Sequence, residues 1–253
     1  MSAIITAENV VKRYGAFTAL DGVSFPVNEG EFLAIVGPNG AGKTTLVNVL
    51  TGLHKPSSGR VLFKGQDVAG IGPVRLAALG MARAFQLVHI FPDLTVGETI
   101  AAGAISQLNR GHRLFGSLRG DREIQGRVHE IAEIFGLDDK LDRTARLLSQ
   151  GEKKLLDVAS AFALRPEVIL LDEPTSGVST GDKRGIMKVL LGAAAQLGVR
   201  AMLLVEHDMD LVAEHATRIV ALQEGRVLAD LPPDKFFNDA AVVAAVVGKR
   251  RAS

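Results

Sequence analysis

Residues 37–45 read Gly-Pro-Asn-Gly-Ala-Gly-Lys-Thr-Thr, the G-x-x-x-x-G-K-[ST] pattern of a phosphate-binding loop. Gly37, Gly40 and Gly42 let the backbone wrap an anion with its N–H groups turned inward, and Pro38, Asn39 and Ala41 complete the loop between them. Lys43 is the residue type that reaches β- and γ-phosphates, Thr44 offers a hydroxyl to Mg²⁺, and Thr45 follows it. The loop comes after an apolar run and opens a helical one, which the chemistry requires, because the helix N-terminus adds roughly half a positive charge. A glycine-rich turn with an exposed lysine is the bland alternative, and it leaves that context without a purpose.

A second constellation is "VILLDEP", residues 168–174. Four apolar residues end in two carboxylates where a strand of an α/β sheet places ligands. Asp172 suits the Mg²⁺ shell, and Glu173 suits a base for an attacking water. Asp-Glu-Pro is also a common turn, so the pair gains its meaning from the phosphate loop. Three further residues are weaker alone. Gln86 closes "GMARAFQ" and could reach the metal or the water. His207 closes "AMLLVEH" and could bond a γ-phosphate or orient the water, although a lone histidine is more often structural. Tyr14, the single tyrosine, could stack on adenine or be an ordinary edge aromatic.

The third is "LLSQGEKK", residues 147–154. Ser149 and Glu152 form the S-x-x-E pattern of a capping box ahead of Leu155, Leu156, Val158, Ala159 and Phe162. Ser149 and Gly151 therefore sit at a helix N-terminus, which can simply begin a helix or can also face an anion.

These residues need a frame. "VSFPV" (23–27), "EFLAIVG" (31–37), "RVLFKG" (60–65) and "GMARAFQ" (80–86) read as strands, and "TTLVNVLTGL" (44–53) has helical spacing. Between 91 and 148 the sequence predicts no strand. Thr95 with Glu98 makes a second capping box, and Ile124, Val128, Ile131 and Phe135 make one apolar helix face. "NRGHRLFGSLRG" (109–120) reads as a loop. Strands and helices then alternate: strand 167–173, helix 181–197, strand 201–207, a helix, and two short strands around Glu224-Gly225. That order predicts an α/β fold with a mostly parallel sheet and a helical insertion.

Composition narrows the function. The 253 residues carry a net charge of +1 and are 47% hydrophobic, enough for a full core and no support for a general nucleic-acid binder. There is no cysteine, hence no disulfide framework. The start lacks the order of a signal peptide, and the longest apolar run, "AAVVAAVVG", is about half of what a bilayer requires. A cytosolic chain is the expectation. The basic Lys249-Arg250-Arg251 reads as a solvated terminus.

Taken in order, Tyr14, the loop 37–45, Gln86, the 148–152 signature, the 168–173 strand end and His207 resemble the ATP-binding cassette family over about residues 5–230. The resemblance implies an ATPase that uses ATP and Mg²⁺, and a P-loop NTPase fold with a RecA-like core and an N-terminal antiparallel β subdomain. On that reading core and β subdomain span about 1–90 and 149–230, a helical subdomain about 91–148, and a helical tail about 231–253. It also implies that Ser149 and Gly151 contact the γ-phosphate held by an opposite subunit, so that hydrolysis needs a head-to-tail pair. The chain departs from the family pattern twice. The usual Leu-Ser-Gly-Gly-Gln is Leu148-Ser149-Gln150-Gly151-Glu152, with Glu152 expected to face its own helix cap. Ser179 stands where the family has aspartate, and without that charge the expectation is weaker communication across the pair, or weaker turnover at one site.

Residues 80–100, the arginine-rich 109–120 and "VEHDMDLV" (205–212) look like the ATPase subunits of branched-chain amino acid importers. That likeness implies a second ATPase subunit, membrane permeases, a periplasmic binding protein reached through them, and a place on the cytoplasmic face of the membrane. Phe91, Leu94 and Val96 are either the surface that receives a permease helix or core. Another transport system, a cassette ATPase acting on nucleic acid or ribosomes, and a P-loop kinase are the competing readings; the absence of sustained heptads and of a second cassette speaks against the nucleic-acid reading.

Overall fold

The computed structural model describes residues 2–84, 92–108 and 121–247. They fall into two compact units, one running to Leu76 and resuming at Arg200, the other covering Ala77–Val199.

The first unit holds two sheets. β1 (Ala3–Tyr14), β2 (Phe17–Asn28), β4 (Ser58–Phe63) and β5 (Gln66–Asp67) form an antiparallel sheet in the order β2-β1-β4-β5. β1 was not foreseen, because a bulge breaks its alternation. The pairing with β2 shifts between Ala7 and Val10, and Asn9 takes a positive φ of 47°. Ser24 Oγ accepts from Asn9 N–H at 2.7 Å, and a Cβ on Gly59 would meet Asn9 O at 2.2 Å, so only glycine fits beside the bulge. The second sheet runs β10-β9-β3-β8. β3 (Phe32–Val36) lies parallel to both β8 (Ala201–Val205) and β9 (Arg218–Gln223). β3 and β8 are buried along their whole length, as continuous apolar runs in a covered parallel sheet should be. β9 turns back into β10 (Arg226–Leu231) through Glu224 and Gly225, at φ 49° and 75°, two consecutive positive φ values that a two-residue hairpin favours. α1 (Lys43–Leu50) follows β3, and α7 (Met209–His215) follows β8. α8 (Pro233–Asn238) and α9 (Ala240–Val247) are the last described elements; Phe236 and Val246 pack with Ala34, Val36, Ile219 and Ala221. A short helix, α2 (Pro73–Leu79), spans the boundary between the units and was also missed.

The second unit is built on β6 (Met81–Ala84) parallel to β7 (Val168–Asp172). Helices α3 (Val96–Gln107), α4 (Arg122–Ile134), α5 (Gln150–Phe162) and α6 (Thr180–Gln196) complete it. The expected apolar face of α4 is the buried one, and Phe135 meets Phe162 with ring centroids 5.4 Å apart. α3 approaches α5 so closely that a Cβ on Gly103 would lie 2.3 Å from Ser160 O. Thr95 and Glu98 form the predicted reciprocal box at the start of α3. Among the described residues no strand lies between 92 and 148. Val96 is fully buried, so of the two readings it takes the core one, while Leu94 is half-buried.

Candidate functional site

In the first unit the chain leaves β3, turns at Gly37 (φ 149°), passes Gly40 (φ 81°) and enters α1 at Gly42 (φ 102°). The back of this loop is pressed against main chain. A Cβ on Gly37 would stand 2.3 Å from Leu222 O, and one on Gly42 would stand 2.6 Å from Ala19 O, whereas one on Gly40 would meet nothing within 4 Å. The β9–β10 turn braces the loop further, since Gly225 N–H donates to Ala41 O at 3.0 Å. Pro38 O accepts from Ala41 N–H at 3.1 Å. No side chain caps α1, which leaves its first-turn N–H groups for an anion. Lys43, 7% exposed, donates from Nζ to Gly37 O at 2.7 Å and Pro38 O at 3.1 Å, and so lies across the loop it begins beside. The Asn39 and Thr44 side chains are exposed, and Thr45 is half-buried.

Two more predicted residues belong to this unit. β8 runs parallel to β3 with Val205 opposite Ile35, so His207 emerges at the sheet edge from which the phosphate loop springs, and it is exposed. Its backbone is pinned from behind: Glu206, 4% exposed, accepts from His207 N–H at 3.0 Å and Asp208 N–H at 3.4 Å through Oε2. Tyr14, at the end of β1, is partly exposed. Its hydroxyl lies 2.6 Å from His54 Nδ1, and Lys12 Nζ sits 5.0 Å from its ring centroid, a placement that leaves ring surface for a flat ligand.

In the second unit, β7 ends on Asp172, which is buried, and Glu173 follows in a left-handed conformation at φ 50°. A non-glycine residue held there is a form of strain that gathers at functional sites. Two basic side chains, neither anticipated from sequence, hold this corner. Arg83 Nη2 donates to Asp172 Oδ2 at 2.6 Å. Lys154, from α5, donates from Nζ to Ser176 Oγ at 3.1 Å and to Glu173 O at 3.4 Å. The signal for Arg83 was a charge inside an apolar strand, but its partner depends on sheet register.

The Ser149 cap is as predicted. Ser149 N–H donates to Glu152 Oε2 at 2.7 Å, and Glu152 N–H donates to Ser149 Oγ at 3.3 Å. The Ser149 amide and hydroxyl hold the Glu152 carboxyl below the usual range, with Lys140 and Arg143 adding to it. Glu152 thus turns to its own cap, as expected. Ser149 and Gly151 line a surface pocket together with Gly177, Val178, Ser179 and Asp182. Ser179 caps α6, donating to Asp182 Oδ2 at 2.7 Å and accepting from Asp182 N–H. About two turns into α5, burial pushes the Asp157 carboxyl up to about 7, with Lys154 pulling the other way.

Mg²⁺ fits this donor chemistry. Among the described residues Asp172 Oδ1 is a buried carboxylate oxygen without a hydrogen-bond partner, and in the other unit the Thr44 side chain is exposed; each is by itself a hard oxygen of the kind that suits Mg²⁺. Gln86, the third predicted metal contact, lies outside the described residues, as do Phe91, residues 109–120 and the basic end of the chain.

Comparison with known proteins gives these features a setting. A family described as "ABC transporter" matches residues 20–176. A probable branched-chain amino acid transport ATP-binding protein, LivG, from Methanocaldococcus jannaschii is 35% identical over 90% of this chain and 89% of its own. A sulfate/thiosulfate import ATP-binding protein, CysA, from Bradyrhizobium diazoefficiens is 34% identical over 94% of this chain and 66% of its own. Among solved structures, the ADP conformation of an ATP-binding cassette of an ABC transporter superposes with a TM-score of 0.85 at 32% identity, covering 98% of this chain and all of that one. A dimeric post-hydrolysis cassette bound to ADP and Pi superposes with a TM-score of 0.76 at 25% identity, covering 90% of this chain and 98% of that one.

Proposed function

The chain belongs to the ABC transporter family and is an ATPase, and from that premise we propose that it powers an importer of branched-chain or related amino acids as one of a head-to-tail pair of ATP-binding subunits. The observation that carries the pairing is the signature pocket: Ser149 and Gly151, at the N-terminus of α5, open onto the surface beside the loop that follows Glu173. A capped helix start that faces solvent can offer its remaining N–H groups to a γ-phosphate brought by another subunit. The phosphate loop supplies the complementary half, with Lys43 and the α1 N-terminus for the phosphates and Tyr14 for the adenine.

In this reading Thr44, Asp172 and Gln86 hold Mg²⁺, which when bound draws charge from the phosphate oxygens. Glu173 accepts a proton from water as the water oxygen bonds to the γ-phosphorus. The bond from that phosphorus to the β–γ bridging oxygen breaks, and ADP leaves with the electron pair. His207 orients the water or the γ-phosphate. ATP favours the closed pair only through its higher affinity for it, and that difference is the work available to a permease. Among the described residues no helix is long and apolar enough to cross a membrane. We place the subunit on the cytoplasmic face, held by permeases that are served by a binding protein.

The relative bearing a branched-chain amino acid name supports the cargo, and the sulfate/thiosulfate relative is the specific reason to keep a second cargo in view. Co-expression with the permeases and binding protein of its own gene cluster, followed by uptake of labelled leucine and labelled sulfate into vesicles, tests it. ATP-dependent leucine uptake is expected. Sulfate uptake without leucine uptake reassigns the cargo. Purification with RNA instead of membrane proteins overturns the transport reading.

A further inference from the structure

We propose that Arg83 is a positioning residue for the metal: it clamps one oxygen of Asp172 so that the other is presented to Mg²⁺. The inference rests on the reading of Asp172 as a metal ligand. In the parallel pair β6–β7, Arg83 is registered with Leu170. Because side chains alternate along a strand, Leu170 and Asp172 share a face, and Arg83 shares it with them. The guanidinium therefore needs to reach only along the strand direction, and it arrives 2.6 Å from Asp172 Oδ2. Both side chains are nearly sealed, at 7% and 2% exposed. The two carboxylate oxygens then differ. Oδ2 is committed to Arg83, and Oδ1 is buried with no hydrogen-bond partner among the described residues.

A buried carboxylate oxygen left without a hydrogen bond is costly and calls for an explanation. An arginine that engages one oxygen fixes the plane of the group. The remaining lone pairs are held ready for a hard cation, as partners of metal ligands commonly do. The positive charge of Arg83 also opposes the metal. The positioning effect outweighs that repulsion, because without Arg83 the buried carboxylate loses the contact that orients it and its counter-charge.

The test reads metal binding rather than turnover. Mn²⁺, followed by its electron paramagnetic resonance signal, and Mg²⁺, followed by calorimetry, are titrated into the full chain with a non-hydrolysable ATP analogue. Nucleotide affinity in EDTA and thermal unfolding are measured beside them. Arg83→Met is expected to raise the metal half-saturation about tenfold or more, in the range of lost partners of metal ligands, with nucleotide affinity in EDTA unchanged. Arg83→Lys keeps the charge and should stay within about threefold of wild type, and Arg83→Gln should fall between. If Arg83→Met does not fold, the ratio of Arg83→Gln to Arg83→Lys decides the matter. Equal half-saturation across the folded variants, or tighter metal binding without the arginine, overturns the proposal. Asp172→Asn separates the two layers. If it leaves metal affinity intact, the ligand reading fails; if it abolishes affinity while the Arg83 variants do not alter it, only the positioning role fails.

Discussion

Lys154 Nζ lies 3.4 Å from the main-chain oxygen of Glu173, so a lysine on the helix that starts at Ser149 holds the turn that carries the proposed base. The same ammonium donates to Ser176 Oγ at 3.1 Å and is 6% exposed. Glu173 sits at a positive φ, which persists only when its surroundings over-determine it. The signature helix and the acidic turn are thus one mechanical piece. Lys154→Met should lower kcat about tenfold or more while the affinity for ATP changes by less than about threefold. Lys154→Arg should recover most of the rate, because the charge and the donors return. Phosphate release and equilibrium nucleotide binding on the same preparations decide it; an equal loss in affinity and rate means the lysine serves the phosphate site directly.

Ser149 and Glu152 allow the cap to be separated from the anion contact. Either Ser149→Ala or Glu152→Ala breaks one arm of the box, at a cost of about 0.5–2 kcal/mol in helix stability. Only Ser149 is proposed to touch a phosphate of the opposite subunit. Urea unfolding should therefore show similar losses for both variants, whereas hydrolysis should fall about tenfold or more for Ser149→Ala and by less than about threefold for Glu152→Ala. Parallel losses of rate in the two variants would leave the box as a helix start alone.

The sequence carried these elements unequally, for physical reasons. β3, β7 and β8 are covered on both faces, so their apolar runs are unbroken and readable. The boxes at Thr95 and Ser149 are local in sequence, and local hydrogen bonds leave local patterns. β1 hid because the bulge at Asn9 shifts the alternation partway along. α2 hid because Pro73–Leu79 is too short for its period to stand out between glycines. The phosphate loop could be read, but not its supports: the carbonyls of Ala19 and Leu222 and the Gly225 turn come from distant parts of the chain. Arg83 and Lys154 find their partners only once strand register and helix packing exist.

Asp157 gives the protein a stability that depends on pH. Burial pushes its carboxyl up to about 7 from an ordinary 3.8, so between those values the folded chain keeps a proton that the unfolded chain has released. Stability is then fully present below the ordinary value and falls as pH rises towards about 7, because the folded state binds more protons in that window. Asp157→Asn removes the ionisable group and should stabilise the protein by about 2–4 kcal/mol at pH 8, with little effect near pH 4. Melting temperatures of the two proteins across that range should converge in acid and separate at high pH. A constant offset would show that Asp157 exchanges its proton alike in both states.

Glu173→Gln addresses the chemistry itself. The amide keeps the size of the carboxylate and leaves the Lys154 contact untouched, because that contact is to the main chain. What is lost is the capacity to accept a proton from water, a contribution of about 10²–10⁴ in rate. The variant should bind ATP as wild type does, release phosphate at least about a hundredfold more slowly, and accumulate as a nucleotide-bound pair, since closure is no longer followed by hydrolysis. Gel filtration with and without ATP reads the pair, and a phosphate-release assay reads the chemistry. Wild-type turnover in this variant removes Glu173 as the base and returns that role to another group near the γ-phosphate. A slow variant that stays monomeric with ATP keeps the base and removes the facing pair.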